Sequence, residues 1–575
     1  MKTEVLEDRY PNLAFLLRME EGALPPFDLH EEDLDGEVGK MVSSLKSDNL
    51  EAIYIYGLGL GYYYFPLIKW LEGSRERDLI FIEENLAVLK AFLEMGHAEE
   101  ILKHPQVHIR MNLDKKRLDT FLDECAATFP VEKIGITALA SYKKHYRSRF
   151  YRLREKLHRR TTVRHALYHE NRFYPLFFEN YLPNFYRLEK SFDGNGLKDA
   201  FKGIPAIICG AGPSLQNDLE TLRQLEDRAL IFAGGSAITA LSNQGIRPHF
   251  GVAYDPNDEE LKRFMAASAF ELPLLYATRL HAGIFNTMNG PTGYLHSETG
   301  GMAEYWMENE LGLEQHPMNE GLTIEAISVT AATLPLACLY GCDPIILLGV
   351  DLAFTNNQTY GPGVVASTST SFKKRQEETR TSEKLLTRTD LYGHPIKTLI
   401  KWVMESATIS AFAKHNGSTT FINATSGGLG FKEIPHTPLS AIPLSTSYDL
   451  HALVHQAIET HPLPIPPGKV DEKLLKLKSS LEKASEYVTI ALEELERVKG
   501  RDPETGRLIF AQMELETLDA YTALLEPHDR AFTILHKRQH RPHSWTTTNA
   551  PLKWNYEHAK WSSYHALIHD YLTLL

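Results

Sequence analysis

Residues 206–218 read Ala-Ile-Ile-Cys-Gly-Ala-Gly-Pro-Ser-Leu-Gln-Asn-Asp: an apolar run that ends in a glycine turn and restarts as a helix. A strand, a tight turn and a helix in immediate succession is the repeating joint of α/β folds, so this stretch restricts the chain around it to that class. Gly210 and Gly212 allow close backbone approach at the turn, and Pro213 is preorganised for the first helical turn. The helix starting at Pro213 and Ser214 is expected to aim free N–H groups and a positive dipole end at an anion. Gly210, Ala211, Gly212, Pro213 and Ser214 therefore read as a phosphate cradle. The plainer reading is that the glycines only turn the chain.

The 575 residues are enough for three or four domains with their own cores. Four cysteines (Cys125, Cys209, Cys338 and Cys342) are too few for a disulfide framework, and three lie in apolar segments, which suits a reducing compartment. The first ten residues lack an apolar signal region, and no run of about 18 apolar residues occurs, so the expectation is a cytoplasmic protein with no membrane span. A net charge of -13 argues against general nucleic-acid binding.

The segment 51–61, Glu-Ala-Ile-Tyr-Ile-Tyr-Gly-Leu-Gly-Leu-Gly, and the strand 79–84 ending in Glu83 and Glu84 have the spacing of a βαβ unit. Tyr62, Tyr63, Tyr64 and Phe65 crowd its turn, which favours a Rossmann-like scaffold without a cofactor over 1–140. Residues 141–200 read as a basic helical connector, carrying Lys143, Lys144, Arg147, Arg149, Arg152, Arg154, Lys156, Arg159 and Arg160. From 201 to 440 strand and helix signals alternate as in a mostly parallel sheet, with strands expected at 206–209, 230–233, 250–254, 273–277 and 344–348. Ligands in such sheets bind beyond the carboxyl ends of strands, where this chain carries Gly210 to Ser214, Gly234 to Ser236, Asp255, and Gly349 to Asp351. A Pro-rich linker, 441–468, leads to a helical C-terminal domain, 469–575. There Leu474, Leu477, Leu481, Ala484, Val488, Ala491, Leu495 and Val498 recur at helical spacing, and a second helix is expected over 507–525. His536, His540 and His543 lack carboxylate or thiol neighbours and read as a surface loop; no metal site is expected.

Several segments in register resemble the motility-associated factor glycosyltransferases, bacterial enzymes that attach nonulosonic acids to flagellin. They are Phe201 to Leu215, Ile246 to Pro256, Ser328 to Thr333 with Ile346 to Phe354, and Asn423 to Gly428. The Gly-Leu-Gly-Leu-Gly module and the helical tail are also features of that family. The central domain is similar to bacterial sialyltransferases that use CMP-activated sugars, and to an archaeal pterin diphosphokinase group. His249 stands where the family leads one to expect an aspartate, and Ser426 where it leads one to expect an acid.

The resemblance implies transfer of a nonulosonic acid of pseudaminic, legionaminic or sialic type from a CMP-activated donor to serine or threonine of flagellin or a similar protein, with no cofactor required. Backbone N–H groups around Ala211, Gly212 and Ser214, with the Ser214 hydroxyl, would stabilise the departing phosphate. Ser236 and Asp255 would contact cytidine and ribose, Ser328 and Thr330 belong to the same nucleotide set, and Asn423, Thr425, Gly427 and Gly428 would meet the donor carboxylate or cytosine. The acceptor hydroxyl needs a proton acceptor, for which Asp351, His249 and His394 are the leading residues, beside His281 and His296. Asp351 equally suits a cap on the turn-rich loop 355–363. Two other functions remain open: a Mg-ATP-dependent pterin diphosphokinase using Asp255, Asp258 and Asp351, and a non-catalytic flagellar interaction protein on the same fold.

Overall fold

The computed structural model describes residues 2–19, 23–45, 49–111, 115–129, 131–296, 301–313, 328–361, 364, 385–539 and 550–575. It divides into two units, Met1–Tyr168 with Thr533–Trp545, and His169–Phe532 with Thr546–Leu575.

In the first unit, β1 (Ala52–Tyr56), β2 (Asp78–Glu83), β3 (Val107–Met111) and β4 (Ile134–Ala138) form an all-parallel sheet in the order β3-β2-β1-β4. Apolar and aromatic residues fill β1 without polar alternation because both faces of the strand are covered, and every one of its five residues is buried. The glycine turn after β1 is occupied by this chain's own groups. Glu83, buried at the end of β2, accepts hydrogen bonds from the N–H groups of Leu58 (2.8 Å), Glu84 (2.8 Å) and Asn85 (2.9 Å) and from the Tyr142 hydroxyl (2.7 Å). His30 Nε2 accepts from Leu60 N–H at 3.1 Å. Burial raises the Glu83 carboxyl above its ordinary range, against the four donors that pull it down. The acid that would bind ribose in a dinucleotide fold thus holds the turn together instead. Several cations of the basic run pair within the same unit: Arg149 with Glu84 at 3.0 Å, and Arg160 with Asp119 at 3.0 Å.

The second unit is built on an eight-stranded sheet. Its strands are β5 (Phe192–Asp193), β6 (Ala206–Cys209), β7 (Leu230–Gly234), β8 (Phe250–Ala253), β9 (Leu274–Tyr276), β10 (Thr292–Tyr294), β11 (Ile345–Leu348) and, after an antiparallel hairpin of β12 (Leu385–Thr389) and β13 (Pro395–Leu399), β14 (Phe421–Asn423). The order is β14-β11-β6-β7-β8-β9-β10-β5, and every pairing is parallel. The mixed α/β class with a mostly parallel central sheet is as the sequence indicates.

The expected domain boundaries are corrected on the carboxyl side. Tyr174, Phe178, Tyr181, Phe185 and Leu188, spaced three or four apart on the helix Arg147–Leu188, bury one face in the core beneath the sheet. The helix Lys469–Arg497 brings Leu474, Leu477, Leu481, Ala484, Val488, Ala491 and Leu495 to that same core, and the helix Ala550–Leu574 adds Trp561, Tyr564, Ile568 and Tyr571. Residues up to Phe532 and from Thr546 of the tail are therefore part of the sheet unit. The stretch 141–200 supplies the edge strand β5, and the linker 441–468 contains the helix Leu450–Glu459. The helix expected over 507–525 is split into Gly506–Glu516 and a π turn at Tyr521–Leu525. His536 falls in the helix Glu526–Gln539, while His540 and His543 lie outside the described residues. None of the four cysteines is joined in a disulfide. No described helix is long and apolar enough to cross a membrane.

Candidate functional site

The connection leaving β6 runs toward β7, whereas β11, paired to the other side of β6, leads to β14. Chains leaving the carboxyl ends of β6 and β11 diverge, and such a switch point opens a crevice. Its two walls are the loop Gly210–Ser214 and the loop Gly349–Asp351. Gly212 N–H donates to Gly349 O at 2.8 Å, and a Cβ at Gly212 would meet Asp351 Oδ1 at 2.2 Å, so this position has room for glycine alone.

Asp351 is 3% exposed and accepts from Ser214 twice, from its N–H at 3.2 Å and its hydroxyl at 2.5 Å. Burial raises its carboxyl above the usual range and the Ser214 bonds pull it back. This corrects the expectation for Ser214: it is 1% exposed, and the donors reserved for a phosphate are held by Asp351. The helix after it is also not the expected dipole. Pro213–Asp218 is a 3-10 segment, followed by a five-residue α-helix, Leu219–Arg223. Ala211 and Gly212 are the half-exposed members of the loop, and Gly361 N–H donates to Ala211 O at 2.9 Å. Gly210 and Pro213 are buried. Asp351 caps a loop, as one reading of the sequence had it, but the loop is Gly212–Ser214.

The loop after β14 closes over this pair. Asn423 accepts from Thr425 N–H at 3.0 Å, and Thr425 Oγ1 accepts from Val350 N–H at 3.1 Å; both residues are buried and spent on the turn, not presented to a ligand. Leu429 N–H donates to Asp351 O at 2.9 Å. Gly428 has φ +79°, and a Cβ there would lie 1.9 Å from that same carbonyl oxygen. Gly427 is packed against Ser214 and Asp351. The half-buried Ser426 takes a hydrogen bond from Asn217 Nδ2 at 3.0 Å and donates to Asp218 Oδ2 at 3.2 Å. An acid therefore stands beside position 426, supplied from 208 residues away along the chain. Burial raises the Asp218 carboxyl, with Ser426 opposing. The β12–β13 hairpin seats on this loop through Leu391 N–H to Gly428 O (3.1 Å) and Tyr392 hydroxyl to Ser426 O (3.3 Å). His394, in the hairpin turn, has its side chain 76% exposed, 3.6 Å from Asp390. Asn217, Asp218 and Tyr392 carried no sequence signal, because their role depends on contacts between distant segments.

A second polar group gathers beyond β7 and β8. Ser328 caps the helix Val329–Leu339 by accepting from Ala331 N–H at 3.1 Å, and its hydroxyl donates to Glu405. Thr330 is half-exposed in the first turn of that helix. Ser236 opens the helix Ser236–Ser242, and Asp255 is half-buried just beyond β8. Burial pushes Glu405 up to about 7. Glu260 is 0% exposed, packed on Gly235 and bound by Arg263 at 2.7 Å; burial first, and the Asp255 charge second, push it up to about 7. Asp255 is likewise raised by burial, against Arg279 and Arg263. The structure thus brings Ser236, Asp255, Ser328 and Thr330 to one strand-end region and adds Glu260, Arg263 and Glu405, which the sequence did not single out.

Two asparagines one helical turn apart on the helix Arg147–Leu188 fix the neighbouring loops. Asn180 binds Pro256 O (3.2 Å) and Ala282 N–H (3.0 Å), and Asn184 binds Thr278 O (2.8 Å) and Leu280 O (2.6 Å).

The histidine expectations separate by position. His249 precedes β8 and so lies at the amino end of the sheet, opposite the crevice. Its Nδ1 accepts from Ile231 N–H at 2.9 Å, and burial with the nearby His451 pushes it down to about 3. A buried ring bonded to a strand backbone at that end is not placed to act at the strand ends, which corrects its assignment. His281 caps the 3-10 turn Ala282–Asn286, with Nε2 3.2 Å from Asp258. His296 follows β10 at the carboxyl end, against Glu308.

Residues 179–357, which carry both walls of the crevice, match the family described as 6-hydroxymethylpterin diphosphokinase MptE-like. No curated protein sequence matches the chain. A solved structure, the Maf glycosyltransferase from Magnetospirillum magneticum AMB-1, superposes with a TM-score of 0.53 over 99% of this chain and 94% of its own, at 13% sequence identity. The chain has the fold of that glycosyltransferase. The likeness in fold runs end to end, whereas the MptE-like match is confined to residues 179–357.

Proposed function

We propose that the protein is a glycosyltransferase that moves a nonulosonic acid of pseudaminic, legionaminic or sialic type from a CMP-activated donor to serine or threonine hydroxyls of flagellin or a flagellin-like protein in the cytoplasm. The observation that carries this reading is the row of polar strand ends from Asp351 across Gly212 to Asp255, at the switch point of a fold shared end to end with a glycosyltransferase. In this reading the phosphate lies on the amide of Ala211 beside Gly212, whose own N–H is held by Gly349 O, and Asp351 holds Ser214 and thereby the loop in shape. Fixed amide dipoles stabilise the charge that develops on the departing phosphate without reorganising during the reaction. Asp255 and Ser236 accept and donate to the ribose hydroxyls, while Ser328 and Thr330 face the nucleoside from the neighbouring helix start. No metal or cofactor is required.

Thermal stability of the purified protein with CMP, CTP, UDP and ATP, with and without Mg²⁺, tests the reading, because a ligand that binds only the folded state raises its melting temperature. Stabilisation by CMP that is lost in Asp255→Ala supports it. Preference for ATP with magnesium favours the second reading, phosphoryl transfer to a pterin, which rests on the match of residues 179–357. No response to any nucleotide overturns both and leaves a non-catalytic interaction protein.

A further inference from the structure

The helix Gly506–Glu516 turns Leu508, Ala511 and Leu515 into the core and leaves three large apolar side chains on its opposite side: Ile509 and Phe510 are each 53% exposed and Met513 is 63% exposed. Their spacing puts all three on one face, within about a turn of one another. Phe510 also stands edge-on to Tyr487 of the helix Lys469–Arg497, with ring centroids 6.4 Å apart, so the apolar strip continues onto its neighbour. Exposed apolar residues scattered singly are ordinary on a protein surface, whereas a contiguous strip marks a contact.

The charges beside the strip indicate what covers it. Arg507 and Glu514 are seven residues, about two turns, apart and so fall on the same flank of the helix. Arg507 lies 3.2 Å from Glu493 with its side chain half exposed, and Glu514 accepts the Tyr487 hydroxyl at 3.4 Å. A cation near one end of a flank and an anion near the other are complementary to the same flank reversed. In a parallel pair of these helices arginine would face arginine. In an antiparallel pair each Arg507 meets the partner's Glu514, and the contact is made twice. The same reversal sets the two helix dipoles against each other favourably and brings Ile509 opposite the partner's Met513, with Phe510 of both copies at the centre.

We propose that this face joins two copies of the chain as an antiparallel pair of Gly506–Glu516 helices, with the two-fold axis near Phe510 and Ala511. Identical patches meeting across a two-fold axis close the assembly at a dimer. Half-exposed side chains of this size contribute roughly 100 Å² each, so the pair covers less than the ~1,200 Å² of a standard interface, and the dimer exchanges with monomer at a Kd on the order of tens of micromolar.

Sedimentation velocity of the full chain from about 5 to about 200 μM tests this, with the expected result a concentration-dependent shift from monomer to dimer and nothing larger. Phe510→Glu, a change at an exposed position, should leave the melting temperature unchanged and the protein monomeric throughout. Arg507→Glu and Glu514→Arg should each raise Kd by at least about 10-fold, because each sets like charges across the pair. The double variant Arg507→Glu/Glu514→Arg should return to within about 3-fold of wild type, as should an equimolar mixture of the two single variants, and neither recovery is open to a misfolded chain. Wild type that stays monomeric across the range overturns the proposal. So does a dimer that survives Phe510→Glu, or single charge reversals that the double variant and the mixture do not rescue. A monomer in which Phe510→Glu abolishes binding to flagellin also overturns it, and gives the face to the acceptor protein.

Discussion

Replacing Asp351 distinguishes a clasp from a catalytic group. In the structure its two oxygens take the Ser214 N–H and hydroxyl, in a place where neither residue reaches water. Asp351→Ala strands both Ser214 donors. At about 1–3 kcal/mol for each buried donor left unmade, the loss is roughly 2–6 kcal/mol. Asp351→Asn strands only one, because the amide oxygen can accept from the Ser214 N–H while the amide N–H₂ donates to the rotated hydroxyl, whose own proton loses its acceptor; its cost is about 1–3 kcal/mol, smaller than that of alanine. The pH dependence has a definite sign. The folded carboxyl is raised above its ordinary value, so the folded state binds the extra proton, and wild-type stability falls as pH rises from the ordinary value through the folded one. Asparagine has no such dependence, so its deficit relative to wild type should be smaller near pH 7 than near pH 4. Urea unfolding of the three proteins at both pH values, followed by near-UV circular dichroism, reads this directly. An alanine variant no less stable than the asparagine variant would refute the clasp, as would an asparagine deficit that grows with pH.

Three further outcomes follow from the same geometry. Gly428→Ala should lose more than about 3 kcal/mol by urea unfolding, since its left-handed backbone alone costs about 1–2 kcal/mol and the new Cβ lies 1.9 Å from Asp351 O. Glu405, raised by burial to about 7, should make wild-type stability fall by about 3 kcal/mol as pH rises from about 5 to about 8, and Glu405→Gln should remove that slope. Glu83→Ala leaves the Leu58, Glu84 and Asn85 N–H groups and the Tyr142 hydroxyl without their acceptor, so the N-terminal unit should lose at least about 4 kcal/mol in hydrogen exchange of β1 amides, while CMP stabilisation persists.

The strands β1, β2, β6 to β9 and β11 were legible because each is a short apolar run, most of them closed by glycine or acid, a pattern that survives without tertiary information; β3 (Val-His-Ile-Arg-Met), the two-residue β5 and the three-residue β10 are too polar or too short to carry it. The strand ends were legible for the same reason, and with them the region of Ser236, Asp255 and Asp351. Periodicity shows that one face of Lys469–Arg497 is buried but not against what, and so the tail read as a separate domain. The helix Arg147–Leu188 looked like a charged connector because its arginines dominate the amino half, while Asn180 and Asn184, the residues that hold the β8 and β9 loops, are unremarkable polar residues in sequence. Ser214 was read as a phosphate ligand because its partner Asp351 lies 137 residues away. The misplacement of His249 was avoidable: a residue just before a strand lies at the amino edge of a parallel sheet, where no ligand crevice forms.

Intact-mass analysis of flagellin after incubation with the protein and CMP-pseudaminate or CMP-legionaminate tests the central claim most directly. The account predicts mass gains of whole nonulosonic acid residues on serine or threonine, matched by released CMP and independent of added Mg²⁺. Unchanged flagellin with either donor, together with magnesium-dependent AMP release from ATP in the presence of a hydroxymethylpterin, would contradict it.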